Sequence, residues 1–278
     1  MERRGRASYR AAMTSSIRPF GAQLREWRQR RRLSQLDLAL EAEISARHLS
    51  FVETGRSQPS REMVLHLAEH LQVPLRERNV LLVSAGYAPV YSERRLGDPA
   101  LAAVRRAMDL VLAGHEPYPA LAIDRHWTLI AANRAVAPLL SGVDAAQLEA
   151  PVNVLRLSLH PKGLAPRIAN LGEWRWHLLD RLRGQIDLTA DPVLWELLNE
   201  LRAYPVVDGS HGSRSPSPDD YAGVVVPLRL VTEHGTLALF STTTVFGTPV
   251  DVTLSELALE SFFPADGPTG DILRRLCP

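Results

Sequence analysis

The chain has 278 residues, 45% of them hydrophobic, and a formal net charge of +1. Its length exceeds what one small module needs, and the ordinary composition predicts two globular domains rather than a fibrous or disordered chain. A single cysteine, Cys277, excludes an internal disulfide and a multi-cysteine metal site. No apolar run approaches the length of a membrane span, so a cytoplasmic protein that makes no use of a membrane is expected.

The near-neutral total conceals a division. Residues 1–87 carry 15 arginines against 9 acids, whereas the remainder carries 17 basic residues against 22 acids. A basic first part implies a phosphate-bearing partner, and an acidic remainder implies that the rest does not wrap that partner. Residues 1–17 hold Arg3, Arg4, Arg6 and Arg10 but no apolar run. They read as a disordered basic N-terminus, not as a secretory signal.

A first helix keeps Phe20, Leu24 and Trp27 on one face and ends near Arg30-Arg31-Arg32. Ser34 is placed to cap a helix from Gln35 to Ala42, with Leu36, Leu38 and Ala39 as its apolar stripe. Glu43 and Ile44 make a turn. Ser45 then caps a second short helix, Ala46 to about Glu53, that buries Leu49 and Val52. Gly55 suits a left-handed C-terminal residue, and Pro59 stops any continuation. A further helix from about Arg61 to Leu71 offers Val64, Leu67, Ala68 and Leu71, and Val80, Leu81 and Leu82 help to close an all-helical core.

Two short capped helices across a tight turn form a helix-turn-helix, whose second helix enters the DNA major groove. On that helix Arg47 is the strongest candidate for base reading, because a guanidinium can take O6 and N7 of guanine together. Ala46 or Phe51 could meet a thymine methyl, and Ser50 could bond to several bases.

Leu24-x-x-x-Arg28, Leu33-Ser34-Gln35-x-x-Leu38-Ala39, and Ser45 to Glu53-x-Gly55-Arg56-x-x-Pro59-Ser60 together resemble the Cro/repressor (XRE) helix-turn-helix over about residues 18–87. The resemblance implies that Gln35 contacts a DNA phosphate and orients the recognition side chains. It also implies that Ala46, Arg47, Ser50 and Phe51 face the bases, and that Thr54 and Arg56 lie beside the backbone. Ser45, at the start of the helix, joins this DNA-facing set. Arg28 and Glu53 are implied to form an internal ion pair.

Residues 88–99, Ala-Pro-Val-Tyr-Ser-Glu-Arg-Arg-Leu-Gly-Asp-Pro, read as a linker to a second domain over 100–278. That domain opens with a helix carrying Leu101, Val104, Met108 and Val111 or Leu112 and ending at Gly114. Short strands follow at 120–124 and 128–131, then a helix from about Asn133 to Leu140. Helices are predicted near 172–183 and 192–203, with a polar loop at 208–218. A hairpin of strands, 223–231 and 236–246, turns around Glu233-His234-Gly235, and Leu257 to Phe263 could add another strand. The order is α+β with an antiparallel sheet, of the PAS sensor type.

His115-Glu-Pro-Tyr-Pro-Ala-Leu, Asp124-Arg-His-Trp127 with Ala132-Asn133, Leu159-His-Pro-Lys-Gly-Leu164 with Ile168-Ala-Asn170, Phe246-Gly-Thr-Pro-Val-Asp-Val-Thr-Leu254, and Glu260-Ser-Phe-Phe-Pro-Ala-Asp266 resemble the MmyB-like ligand-binding domain over about residues 100–275. That family joins a Cro-type reader to a PAS-like pocket. The resemblance implies a ligand-responsive bacterial transcription factor, with a fatty or acyl compound as cargo. Trp174, Leu178 and Leu182 at helical spacing, with Leu129, Val226 and Phe240 from strands, are the candidate pocket walls, and side chains of this kind also fill ordinary cores. Asn133, His160 and Asn170 are the candidate polar anchors, although His160-Pro161 and Asn170-Leu-Gly172 also read as turn chemistry.

No phosphate-cradling glycine loop, His-Glu-x-x-His or Gly-x-Ser-x-Gly occurs, so catalysis is not expected. The expected partners are an operator in double-stranded DNA, a small-molecule effector and a second copy of the chain, since one recognition helix contacts few base pairs. A second domain that makes protein contacts without a ligand is the alternative.

Overall fold

The computed structural model describes residues 18–205, 226–247, 249 and 251–277. The expected basic N-terminus, the polar loop at 208–218 and the start of the strand at 223–225 therefore lie outside the described residues. The chain divides into two compact units, one running to Glu93 and including Asp187–Thr189, the other made of Arg94–Ile186 and the residues from Ala190 onward.

The first unit is all-helical: α1 (Phe20–Arg30), α2 (Gln35–Glu41), α3 (Ala46–Glu53), α4 (Arg61–His70) and α5 (Leu75–Ser84). Serines start three of these helices. The Ser34 hydroxyl accepts from the Asp37 amide at 3.1 Å while the Asp37 carboxylate accepts from the Ser34 amide at 2.8 Å, a reciprocal capping box. Ser45 and Ser60 cap α3 and α4 through the amides of His48 and Met63. Each such cap is worth about 1 kcal/mol. Leu24, Leu38, Leu49, Leu67, Leu71, Leu81 and Leu82 form the fully buried centre.

Two apolar expectations fail here. Leu36 is 59% exposed, because α2 has seven residues and turns only Leu38 and Ala39 toward the core. Val80 is also exposed, since Leu81 and Leu82 take the inward positions of α5. The segment expected as a linker is anchored instead. Asn79 holds it through the amides of Val90 and Tyr91 and the Tyr91 carbonyl, and Arg76 pairs with Glu93. Within the second unit, Arg94 pairs with the buried Asp251 at 3.0 Å.

The second unit is built on one antiparallel sheet of order β2-β1-β5-β4-β3: β1 (Ala120–Ile123), β2 (Leu129–Ala132), β3 (Leu228–Thr232), β4 (Gly235–Val245) and β5 (Ala258–Pro264). The long β4 runs beside β5 with Ser241 opposite Phe262 and Thr243 opposite Glu260. Side chains alternate between the faces of a strand. Leu121, Leu228, Leu230, Leu237, Leu239, Glu260 and Phe262 therefore share the inner face. On the outer face Ala120, Ala122 and Leu259 meet Met108 and Leu112 of α6 (Ala102–Gly114), the small alanines letting the helix approach.

The inner face is covered by α7 (Val154–Leu159), α8 (Leu171–Thr189) and α9 (Pro192–Ala203). Their Leu155, Leu178, Leu182, Ile186, Leu194 and Leu198 join the strand leucines in one core. A short α10 (Val252–Ser255) and the C-terminal α11 (Gly267–Leu276) complete the unit, with Ile272 and Leu273 buried against it.

The helix expected over 133–140 reduces to a single 3-10 turn, Ala137–Leu140. Asn133 is buried and spends its amide on the backbone. It accepts from the Ala120 amide at 3.0 Å and donates to the carbonyls of Leu112 at 3.1 Å and Tyr118 at 2.8 Å. Neither α7 nor α11 was expected. Among the described residues no helix is long and apolar enough to cross a membrane.

Two glycines predict opposite outcomes. A Cβ at Gly21 would lie 2.6 Å from the Val52 carbonyl oxygen and closer still to that of Glu53, so α1 touches α3 backbone to backbone. Gly21→Ala should destabilise the first unit by about 1–3 kcal/mol. A Cβ at Gly184, inside α8, meets nothing within 4 Å. Gly184→Ala should stabilise the protein by about 0.5–1 kcal/mol through helix propensity alone. Urea unfolding of both variants checks the pair.

Candidate functional site

Helix α3 presents one face outward and one inward. Arg47, Ser50, Phe51 and Thr54 fall on the outer side by helical spacing, while Leu49, Val52 and Glu53 are buried and Ala46, seven residues before Glu53, lies half-buried at the margin of the two faces. What fixes α3 is a polar network. Arg28 of α1 donates from Nε to Glu53 Oε1 at 2.6 Å, from Nη2 to Oε2 at 2.9 Å, and from Nη1 to the Leu33 carbonyl at 2.8 Å. Hydrogen bonding to Glu53, opposed by burial, raises the Arg28 pKa. Gln35 of α2 donates to Glu53 Oε2 at 2.7 Å. Three helices therefore converge on one buried carboxylate, and the Arg28–Glu53 pair implied by sequence resemblance is present.

Above this network the Arg47 guanidinium lies over the Phe51 ring, 5.3 Å from its centroid. Such a cation–π contact at an exposed site is worth about 0.5–1 kcal/mol and holds the fork in a restricted set of positions. The Thr54 hydroxyl donates to the Ser50 carbonyl at 2.7 Å, and the Arg56 amide donates to the Phe51 carbonyl at 2.8 Å. The Ser45 hydroxyl is engaged as the cap of α3. Arg47, Thr54 and Arg56 are solvent-exposed, and Gln35, Ala46, Ser50 and Phe51 are half-buried.

The second unit holds a cavity of about 120 Å³ between the inner face of the sheet and helices α7 and α8. That is of the same order as the roughly 150 Å³ apolar cavity known to admit benzene. Leu121, Leu129, Leu228, Leu230, Leu239 and Phe262 supply the sheet wall, and Trp127, Leu155, Trp174 and Leu178 much of the remainder. Among the described residues of the lining, Ser158, Ser241, Arg181 and Glu260 are polar.

Arg181 and Glu260 face each other across this wall. Arg181 Nη2 donates to Glu260 Oε1 at 2.7 Å and to the Thr243 hydroxyl at 2.9 Å, and Nη1 reaches Glu260 Oε2 at 3.3 Å. The Thr243 hydroxyl donates to Glu260 Oε1 at 2.8 Å. The guanidinium also lies 5.0 Å from the centroid of the Trp127 ring. Trp127 has φ of +65°, a left-handed conformation that costs a bulky residue about 1–3 kcal/mol. Its indole donates to Gln185 at 2.7 Å, which holds the ring against the cavity.

Of the pocket residues expected from sequence, Leu129, Trp174 and Leu178 line this cavity. The others are placed elsewhere. Leu182 is one helical turn further on and fully buried in the core. Val226 packs at the edge of that core. Phe240 stacks on Phe263 on the opposite face of the sheet, a consequence of strand alternation. Asn133 is consumed by backbone partners, as described above. His160 accepts from the Lys162 amide and packs edge-on against Tyr204. Asn170 bonds to Glu173, the Pro227 carbonyl and the Arg229 amide. All three polar candidates thus serve turns and strand ends.

Trp127 and Glu260 belong to motifs that carry the resemblance but were not assigned to a pocket. Arg181 had no sequence signal beyond standing one turn after His177 and two after Trp174 on the same helix. Among the described residues, no three His, Cys, Asp or Glu side chains gather as a metal site.

Comparison with known proteins gives two family matches. A model described as a helix-turn-helix domain matches residues 19–81, and one described as an MmyB-like transcription regulator ligand binding domain matches residues 104–276. No curated protein matches the chain. The second match spans more than half of the chain, over the unit that holds the cavity, and the first spans the unit that presents α3: the chain belongs to the family of the MmyB-like transcription regulator ligand binding domain, here preceded by a DNA-binding helix-turn-helix.

Proposed function

We propose that the protein is a ligand-responsive transcription factor of the cytoplasm that reads operator DNA with α3 and holds an apolar, acyl-type small molecule in the cavity of its second unit. The observation that carries the DNA half is the outward row on α3, with Arg47 steered by Phe51 above a buried network that locks the helix in place. Arg47 reads a guanine through its fork; Ala46, Ser50 and Phe51 meet neighbouring base edges. Gln35, Ser45, Thr54 and Arg56 set the register against the sugar-phosphate backbone. The Gln35 bond to Glu53 supports the orienting part of its role.

The ligand half rests on a cavity whose lining is almost wholly aliphatic and aromatic, with few polar groups, as small-molecule sites are built. The protein works as a homodimer on a near-palindromic operator, because two half-sites supply the specificity that one helix lacks. Ligand changes DNA affinity by binding unequally to two arrangements of the dimer; equal affinity would shift nothing. Its role is binding and release, without turnover of the ligand.

Binding to a duplex selected from a random pool by the native protein tests the reader. Arg47→Ala should lose about 1–3 kcal/mol on the selected site and relax preference at one base pair per half-site. Arg56→Ala should weaken all sequences alike and reduce the salt slope by about one. If Arg47→Ala changes neither affinity nor preference, α3 is not the reader. For the cavity, Leu178→Phe fills space within the second unit. It should abolish the effect of a co-purifying or added ligand on operator binding while leaving unliganded affinity within about twofold. Unchanged ligand response in Leu178→Phe would place the effector elsewhere.

A further inference from the structure

Helix α6 buries Met108 and Leu112 against the outer face of the sheet. Its opposite side is open. Ala103, Ala107, Leu110 and Gly114 are exposed and follow at steps of four, three and four residues, the spacing of a seam between paired helices. Leu110, at 74% exposure, is the most exposed large apolar side chain among the described residues, and Val111 beside it is 49% exposed. A Cβ at Gly114 would meet nothing within 4 Å, so the row also ends in open space. A lone exposed leucine is ordinary; an apolar row at this spacing is a surface on which another helix can pack.

One flank of the row is charged. Arg105 is tied down by the carbonyls of Leu96 and Asp98. Arg106 and Asp109, one turn apart and both exposed, make no side-chain hydrogen bond or ion pair among the described residues. The face therefore carries a large side chain, small ones beside it, and one charge of each sign.

We infer that α6 is the surface on which two copies of the chain pair, antiparallel, about a two-fold axis lying between Ala107 and Leu110. The inference rests on the reading of the protein as a homodimer and names its surface. Laid this way, Leu110 of each copy sits over Ala107 of the other, and Ala103 meets the Gly114 end. Arg106 of each copy reaches along the flank toward Asp109 of the other. A two-fold contact must be complementary to itself, and this row supplies both knob and hollow and both signs of charge. A parallel pairing would set Leu110 against Leu110 and the small residues against one another, leaving gaps between them. The strands that turn Ala120, Ala122 and Leu259 toward α6 turn Leu121 and Glu260 toward the cavity, so pairing surface and cavity lie on opposite faces of β1 and β5.

One short helix on its copy buries less than a standard interface, so a dissociation constant on the order of 1–100 μM is expected without DNA. Sedimentation equilibrium of the full chain over about 1–500 μM brackets that range. The native chain should pass from monomer to dimer. Leu110→Glu should raise the dissociation constant at least about tenfold without lowering the unfolding temperature, since the position is exposed. Arg106→Asp should weaken pairing about threefold by facing Asp109 with a like charge. Combining it with Asp109→Arg should restore the native value to within about twofold, which a general effect of charge would not do.

Folded Leu110→Glu that pairs like the native chain overturns the inference and leaves the homodimer to form elsewhere. If Leu110→Glu does not fold, the charge exchange decides: a double variant as weak as Arg106→Asp alone overturns the antiparallel pairing. A native chain that stays monomeric throughout overturns the inference and the homodimer together, and leaves the face to a different protein.

Discussion

A carboxylate withdrawn from water costs several kcal/mol unless an opposite charge and further hydrogen bonds meet it, and both units of this protein are arranged around that requirement. In the first, Glu53 is buried at the inner side of the recognition helix and is met by Arg28 from one helix and Gln35 from another. In the second, Glu260 is buried in the middle of the sheet and is met by Arg181 from the covering helix and Thr243 from the next strand. Removing either arginine would strand the acid, a loss of about 3–5 kcal/mol for a buried pair. Each pair thus sets the distance and rotation between elements that leucine packing alone would leave freer to slide.

The two units use the same device toward different ends. Around Glu53 the network faces inward and leaves the outer row of α3 free for solvent or a partner. Around Glu260 the network faces a cavity, so the polarity of the pair becomes part of what a guest would encounter. A regulator of this family needs both halves: a rigid surface that meets DNA and an interior that responds to a small molecule. Dense aliphatic packing below both sites makes them rigid enough to discriminate.

Much of this was legible in the chain because the signals are local. Serine caps, a left-handed glycine and leucines at helical spacing placed α2, α3 and α4 to within a residue or so, and runs of strand-forming residues placed β4 and β5, whereas β3 begins only at Leu228, after Val226 and Pro227 of the strand expected from 223. Leu36 and Val80 show where periodicity stops being enough: a short helix has more apolar residues than core to put them in. The cavity was half legible. Leu129, Trp174 and Leu178 follow from apolar spacing, but Phe240 missed by one step of a strand, which is enough to send a side chain through the sheet. Asn133, His160 and Asn170 were drawn off by nearby backbone groups, which a short polar side chain finds before any distant ligand. The Arg181–Glu260 pair spans 79 positions of sequence and is visible only once the sheet brings β5 beneath α8.

The stacking of Arg47 on Phe51 ties two roles together on adjacent turns of one helix. In the proposed reader, the residue that names a base and the residue that aims it are different, so the binding preference is inherited as a dipeptide-like unit rather than as a single letter. Drift at Phe51 alone would loosen the aim without changing the chemistry of the fork, giving a tolerant intermediate from which a new preference at Arg47 could be selected. Divergence between related regulators would then pass through relaxed specificity before reaching a changed one.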